Sequence, residues 1–287
     1  MSCLKVVATP IGNLGDLSPR ALEALQSCDL IAAEDTRVTG KLTSVNDIHK
    51  PMTSCHRHNE RDKSGGIAER MLAEDLTVAL TCDAGTPGIS DPGEELVNAC
   101  WEAGISVEAI PGPSAIATAL SLSGFNTSRF AFYGFLPRED GALDESLRQI
   151  LKSGIPIAVL YESPHRVVNL LKRISLMFPE ARVLVCCDLT KKFEKLDRGS
   201  ISEIYDRLRQ RENVEKGEYC LVLDLSAVPS APTACPGAGK TCAEALAGLL
   251  CEGMSFGEAS EQLKTEGFKR NEIYKTKLLL KQLVNEL

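Results

Sequence analysis

Asp83-Ala84-Gly85-Thr86-Pro87-Gly88-Ile89-Ser90-Asp91-Pro92-Gly93 follows an apolar run, Thr77 to Leu80, and precedes Leu96, Val97, Cys100 and Trp101 at helical spacing. The run reads as a buried strand and the spacing as a helix. Asp91 is the expected N-cap, with Pro92 at the first helical position, Glu94 completing a capping box and Gly104 as the stop. A glycine- and proline-rich loop thus joins a strand to a helix. In open α/β sheets ligands bind at such places, beyond the carboxyl ends of the strands. Small residues there let a ligand approach the backbone closely. A tight structural turn is the competing reading, and the recurrence of such loops along the chain weighs against it.

Outward from this stretch, strands and helices alternate. Leu4 to Ala8 is a predicted strand, Thr9 to Leu17 a loop, and Ser18-Pro19 the cap of a helix with Ala21, Leu22, Leu25 and Cys28 on one face. Leu30 to Ala33 and Val107 to Ile110 are further strands. The first ends at Glu34-Asp35-Thr36-Arg37, the second at Pro111-Gly112-Pro113-Ser114-Ala115 and a small-residue helix to Leu122. This is the pattern of a parallel α/β domain, residues 1–124. A second α/β domain, 125–227, carries strands at Phe130 to Gly134, Ile157 to Tyr161, Val183 to Cys187 and Tyr219 to Leu225. Ser163-Pro164 caps its helix through Val167, Val168, Leu171 and Ile174. Residues 228–239 are a linker by composition. Residues 240–287 are a small helical tail in three pieces divided near Gly253 and Gly267. Thr241 with Glu244, and Ser255 with Glu258, read as capping boxes.

The 287 residues suffice for two cores. No apolar run reaches membrane-spanning length, and Met1-Ser2-Cys3 enters a strand with no charged-then-apolar leader, so a soluble cytoplasmic protein is expected. The 11 cysteines are odd in number and contain no Cys-x-x-Cys pair. Cys55, His56 and His58 lack a second ligand pair at usable spacing. No metal is therefore expected, and most thiols are expected to be buried apolar groups in a reducing compartment. A net charge of −7 argues against nucleic-acid binding over the whole surface. It leaves room for local basic patches at Arg57 to Lys63, Lys191 to Lys195 and Lys269 to Lys281. A dinucleotide fingerprint is missing. Gly239-Lys240-Thr241 fails as a phosphate loop because position 234 is Ala234.

Ala8 to Asp16, Ala33-Glu34-Asp35-Thr36-Arg37, His58-Asn59-Glu60, Asp83 to Gly93, Pro111 to Ala115, Tyr161-Glu162-Ser163-Pro164-His165-Arg166 and Leu189-Thr190-Lys191 occur in that order. As an ordered set they closely resemble the tetrapyrrole methylase superfamily, in its branch of bacterial small-subunit ribosomal RNA cytidine 2′-O-methyltransferases. The resemblance covers about residues 4 to 225, and the tail is similar to that branch's helix-turn-helix extension. It implies two α/β domains flanking a deep cleft, S-adenosylmethionine as donor, and a homodimer. It also implies, as acceptor, the 2′-oxygen of a decoding-region cytidine (position 1402 in the usual 16S numbering) within the small subunit. By position, the donor would meet Pro10, Asp83, Gly85, Thr86, Pro87, Ile89, Ser90, Pro111, Gly112, Pro113, Ser114, Ala115, Tyr161, Glu162 and Ser163. The strand end near Gly217-Glu218-Tyr219 would close the pocket. The chain departs from the branch at Asp188, where Glu is usual, and at Cys55-His56-Arg57.

Methyl transfer from a sulfonium is an in-line displacement that needs alignment, exclusion of water and removal of one proton. Candidate proton acceptors are Glu34, Asp35, His56, His58 and Glu162, with the Glu34-Asp35-Arg37 group preferred on the acceptor side. His56, Arg57, His58, Arg61, Arg166, Lys191, Lys269, Arg270 and Lys275 are the candidate RNA contacts, Arg by bidentate phosphate pairing. Each has a structural alternative: ion pairing of Glu34 and Asp35 with Arg37, backbone capping by Glu162, or a solvated basic face on the last helix. Two other functions fit parts of the pattern. One is a methylase acting on a corrinoid or porphyrinogen, the other a non-catalytic nucleic-acid-binding regulator.

Overall fold

The computed structural model describes residues 1–229, 242–251, 254–265 and 268–285. Met1–Val228 form one compact unit and Pro229–Leu287 a second.

The first unit holds two five-stranded sheets. In the first sheet, β1 (Cys3–Val7), β2 (Leu30–Ala33), β3 (Met52–Ser54), β4 (Thr77–Thr81) and β5 (Ser106–Ile110) stand in the order β3-β2-β4-β1-β5. Every pair is parallel. Parallel pairing places all five carboxyl ends on one edge. Side chains alternate across the sheet and feed two cores. Leu30 and Ala32 join Ile67, Met71, Leu96 and Cys100 of α3 (Glu60–Glu74) and α4 (Glu94–Glu102). Ile31 and Ala33 join Ala21, Ala24, Leu25 and Leu42 of α1 (Pro19–Ser27) and α2 (Thr36–Val45). Ser18 caps α1 as predicted, accepting from the N–H of Ala21 at 3.1 Å.

The second sheet contains β6 (Phe130–Phe135), β7 (Ile157–Glu162), β8 (Arg182–Cys187), β9 (Lys195–Ser200) and β10 (Tyr219–Asp224) in the order β6-β7-β10-β8-β9. Only β6 and β7 are parallel; β10 pairs antiparallel with β7 and β8, and β9 antiparallel with β8. One face packs on α6 (Asp140–Lys152), α7 (Val167–Met177) and α8 (Ile201–Arg209). The other face receives α5 (Ala115–Ser123), whose Ala119 and Leu120 pack with Val159, Leu184, Cys186 and Val222. The helix that leaves the first sheet is therefore built into the core of the second. Ile11, from the loop after β1, enters the same cluster.

Two predicted caps are corrected. α4 begins at Glu94 with Gly93 as N-cap (φ 135) and no side-chain cap bond, so Asp91 and Pro92 lie in the loop. α7 begins at Val167 behind Arg166, so Ser163-Pro164 forms the turn before it: the Ser163 carbonyl accepts from Arg166 and Val167 at 3.0 and 3.1 Å.

The second unit is a trio, α9 (Cys242–Cys251), α10 (Phe256–Thr265) and α11 (Arg270–Asn285). Leu246, Ala259, Leu263 and Ile273 form its core. The Ser255–Glu258 capping box is present, with bonds of 2.9 and 3.3 Å. Thr241, Gly253, Gly267, the Gly239-Lys240-Thr241 stretch and nearly all of the expected linker lie outside the described residues. No helix among the described residues is long and apolar enough to cross a membrane.

Candidate active site

A cavity of about 470 Å³ opens at the carboxyl edge of the first sheet, facing the second. Such a volume suits a ligand of drug or cofactor size. The first sheet supplies Ile11 after β1, Glu34 after β2, Asp83–Thr86 and Ile89–Asp91 after β4, and Ser114–Ile116 after β5. The second supplies Phe135, Tyr161–Pro164, Leu189 and Gly217–Cys220.

Local chemistry shapes these loops. Thr9 and Gly85 exchange backbone hydrogen bonds of 2.8 and 3.0 Å, which zips the loops after β1 and β4 together. Gly85 (φ 84) and Gly88 (φ 80) occupy the left-handed region that glycine tolerates, and Ser90 (φ 64) adopts it without being glycine. Ser114 caps α5, so that helix points its amino end toward the cavity. Phe132 packs edge-on against Tyr161 with ring centroids at 4.9 Å, and Phe135 packs tilted against it at 5.7 Å.

Three carboxylates stand on the first sheet's side of the wall. Burial raises the pKa of Glu34 and of Asp83, and burial together with the charges of Glu34 and Asp83 pushes Asp91 up to about 6. Glu34 accepts from the N–H of Asp83 at 3.1 Å, and Asp83 accepts from the N–H of Asp35 at 3.1 Å. Asp35 is different: Arg37 holds its pKa down at about 2. Asp35 caps α2 and pairs with Arg37 at 2.6 Å, and neither lines the cavity. On the opposite wall, burial raises the pKa of Tyr161 and of Glu162.

Of the residues singled out for the donor, Asp83, Gly85, Thr86, Ile89, Ser90, Ser114, Ala115, Tyr161, Glu162 and Ser163 line the cavity. Pro10, Pro87, Pro111, Gly112 and Pro113 do not line it. Gly112 is needed for the close approach of two loops, since a Cβ there would lie 3.1 Å from that of Ala8. Of the catalytic trio only Glu34 lines the cavity.

The candidate RNA residues divide. His56, Arg57 and His58 lie between β3 and α3, with Arg61 in the first turn of α3; the rings of His56 and His58 meet edge-on at 6.1 Å. Arg57 donates to the Ser90 carbonyl at 3.1 Å. Arg166 is taken up within the fold: it donates to the carbonyls of Leu136 and Pro137 and lies 3.0 Å from Glu162. Lys191 bridges Asp188 and Glu218 at 2.9 and 3.0 Å. Lys269, Arg270 and Lys275 are exposed in the second unit. Sequence reasoning missed the place of Asp91 in the wall, because the residue reads so well as a helix cap. It also missed Phe135 and Cys220, whose strands carry no local signal for a site.

The model of the family Tetrapyrrole (Corrin/Porphyrin) Methylases matches residues 4–205. A Synechocystis protein named ribosomal RNA small subunit methyltransferase I is 40% identical over 98% of this chain and 99% of its own. The Vibrio cholerae protein of the same name is 42% identical over 77% of this chain and 76% of its own. Among solved structures, the methyltransferase CobJ superposes with a TM-score of 0.58 at 16% identity, over 78% of this chain and 94% of that one. Uroporphyrin-III-C-methyltransferase from Thermus thermophilus gives 0.52 at 19%, over 77% and 94%. At those identities the likeness speaks for the fold, two α/β lobes around one cleft. The sequence relatives carry the assignment further: the chain is a methyltransferase of the tetrapyrrole methylase family and groups there with the proteins named ribosomal RNA small subunit methyltransferase I.

Proposed function

We propose that the chain methylates the ribose 2′-oxygen of a cytidine in 16S ribosomal RNA, position 1402 of the small subunit, using S-adenosylmethionine. The observation that carries this reading is the cavity itself, in a chain related nearly end to end to a protein named for small-subunit ribosomal RNA methylation. Backbone-rich loops form one wall and the Phe135–Tyr161 pair the other. That combination suits a flat heterocycle joined to a polar chain. Bound there, S-adenosylmethionine would supply an activated methyl group on a sulfonium. The Gly85–Thr86 and Ser114–Ala115 turns would hold its polar groups through backbone N–H and carbonyl atoms. Asp83 and Asp91 would favour a cationic centre over a neutral one.

A ribose hydroxyl must lose its proton as the new bond forms. Glu34 is the acceptor in this reading: it lines the cavity, and burial makes its carboxylate more basic. Asp35, held near 2 by Arg37, is too weak a base and acts as the cap of α2. Arg37 remains exposed for a phosphate. His56, His58, Arg61 and the tail residues Lys269, Arg270 and Lys275 would add phosphate contacts. An assembled subunit would supply shape where this acidic chain lacks a basic surplus. Homodimer formation and cytoplasmic residence belong to the same reading through the family resemblance.

The family description and one fold neighbour, named a uroporphyrin-III-C-methyltransferase, keep a second reading open, methylation of a corrinoid or porphyrinogen. Labelled S-adenosylmethionine, offered with small ribosomal subunits in one reaction and with corrinoid and porphyrinogen precursors in another, separates the two. Label in RNA supports the proposal. Label only in a tetrapyrrole overturns it.

A further inference from the structure

Two residues, Arg57 just before α3 and Glu60 at its start, reach the cavity loop from outside. Glu60 is buried, 6% exposed, and its carboxylate accepts from the N–H of Gly93 at 2.7 Å. A carboxylate so buried requires a partner, and this one is a backbone amide at φ 135, a conformation open to glycine alone. Arg57 lies exposed and donates to the Ser90 carbonyl at 3.1 Å. Ser90 holds φ 64, which an L side chain resists. Its hydroxyl faces the bulge in β6: a Cβ on Gly134 would lie 3.1 Å from Ser90 Oγ. Ile89, Ser90 and Asp91, three consecutive wall residues, are therefore held at Ser90 and just beyond Asp91 at Gly93, and Ser90 abuts the other sheet.

We propose that Arg57 and Glu60 are positioning residues for the donor pocket, so that a segment on the RNA side of the cleft sets donor affinity. This rests on the reading of the cavity as the S-adenosylmethionine site. If the grip is lost, the loop relaxes toward its unstrained backbone and the wall loses its shape before any acceptor arrives.

Calorimetric titration with S-adenosylmethionine, without RNA, reads the effect directly. Arg57→Ala, an exposed change, is expected to keep the melting temperature of the wild type and to raise the donor Kd about fivefold, as loss of a charged hydrogen bond at a partly solvated site would. Glu60→Ala is expected to raise it about tenfold or more, whereas Glu60→Gln, which keeps the acceptor oxygen, stays within about twofold. In turnover, KM for the donor rises while kcat at saturating donor holds. A residue that met RNA alone would instead raise KM for RNA and leave donor binding untouched. Wild-type donor affinity in Arg57→Ala overturns the proposal, and decides it alone if Glu60→Ala does not fold. Failure of the wild type to bind S-adenosylmethionine would instead sink the reading of the cavity, and this inference with it.

Discussion

The carboxylate of Glu34 accepts the backbone N–H of Asp83 at 3.1 Å, tying the end of β2 to the end of β4 at the cavity wall. The bond is short-range in space and 49 residues long in sequence. It occupies one oxygen of Glu34 and fixes the carboxylate in place. The residue next to it, Asp35, does not line the cavity and accepts a bidentate contact from Arg37. Two adjacent acids thus hold opposite roles, one basic and at the cavity, one strongly acidic and outside its lining.

That division predicts a split between two conservative variants. Glu34→Gln is expected to lower kcat about 10²- to 10³-fold at saturating donor and acceptor, the usual range for loss of a general base. Asp35→Asn retains a capping side chain and should fall by less than about tenfold. Single-turnover methylation of small subunits by each variant is the measurement. Equal losses would remove Glu34 from its assigned place.

The raised pKa of Asp91, about 6, has a signed consequence for stability. Between an unfolded value near 3.8 and a folded value near 6 the native state binds the extra proton. The contribution is fully present below the lower value and is lost as pH rises through the upper one. Asp91→Asn should therefore melt about 2 °C above the wild type at pH 8, with the gap closing toward pH 5. Thermal unfolding of both proteins across that range checks the sign. A gap that widens on acidification would contradict the burial of this acid.

Much of this frame was legible in the chain. The strand at Leu30 to Ala33, the Ser18 cap and the loop from Asp83 to Gly93 stand where apolar runs, capping chemistry and glycine put them. What escaped was set by distant partners. β3 is three half-buried residues, too short for any periodicity. β9 reads Lys-Leu-Asp-Arg-Gly-Ser and has one buried residue, Asp197, held by Arg207 and Arg211 from α8 and beyond. Asp91 has every local feature of an N-cap. The helix nevertheless starts later, behind Gly93, whose φ of 135 is not helical and whose N–H is held by Glu60 from α3. No window around residue 91 contains that information.

The loops after β1 and β8 meet without spare room, and Gly12 marks the spot. A Cβ there would lie 2.6 Å from Lys191 Cγ and 2.7 Å from the Leu189 carbonyl, which is backbone and does not swing aside. Gly12→Ala is expected to cost about 1–3 kcal/mol through overpacking. It should also weaken donor binding, since Ile11 and Leu189 both line the cavity. Urea unfolding and calorimetry on the same sample test both halves. An unchanged unfolding midpoint would show that the two loops move apart freely.

At Asp188 the shorter acid suits its backbone. The residue holds φ 54, accepts from Lys191 at 2.9 Å and from the Glu218 N–H at 3.3 Å, and stands where a Cβ on Gly217 would clash at 2.7 Å. Asp tolerates left-handed backbone better than Glu. Asp188→Glu should be destabilised by about 1 kcal/mol, and Asp188→Ala by about 1–2 kcal/mol through its lost acceptors. Denaturant titration of the pair gives the comparison, and a gain in stability for Asp188→Glu would refute it.

The most direct test uses small ribosomal subunits from a strain lacking the modification, labelled S-adenosylmethionine and the purified protein, with the RNA digested to nucleosides for mass spectrometry. The account predicts label in a single 2′-O-methylcytidine product, its rate of appearance lowered about 10²- to 10³-fold by Glu34→Gln. Label on a base, or no label in RNA although calorimetry shows the donor bound, would contradict it.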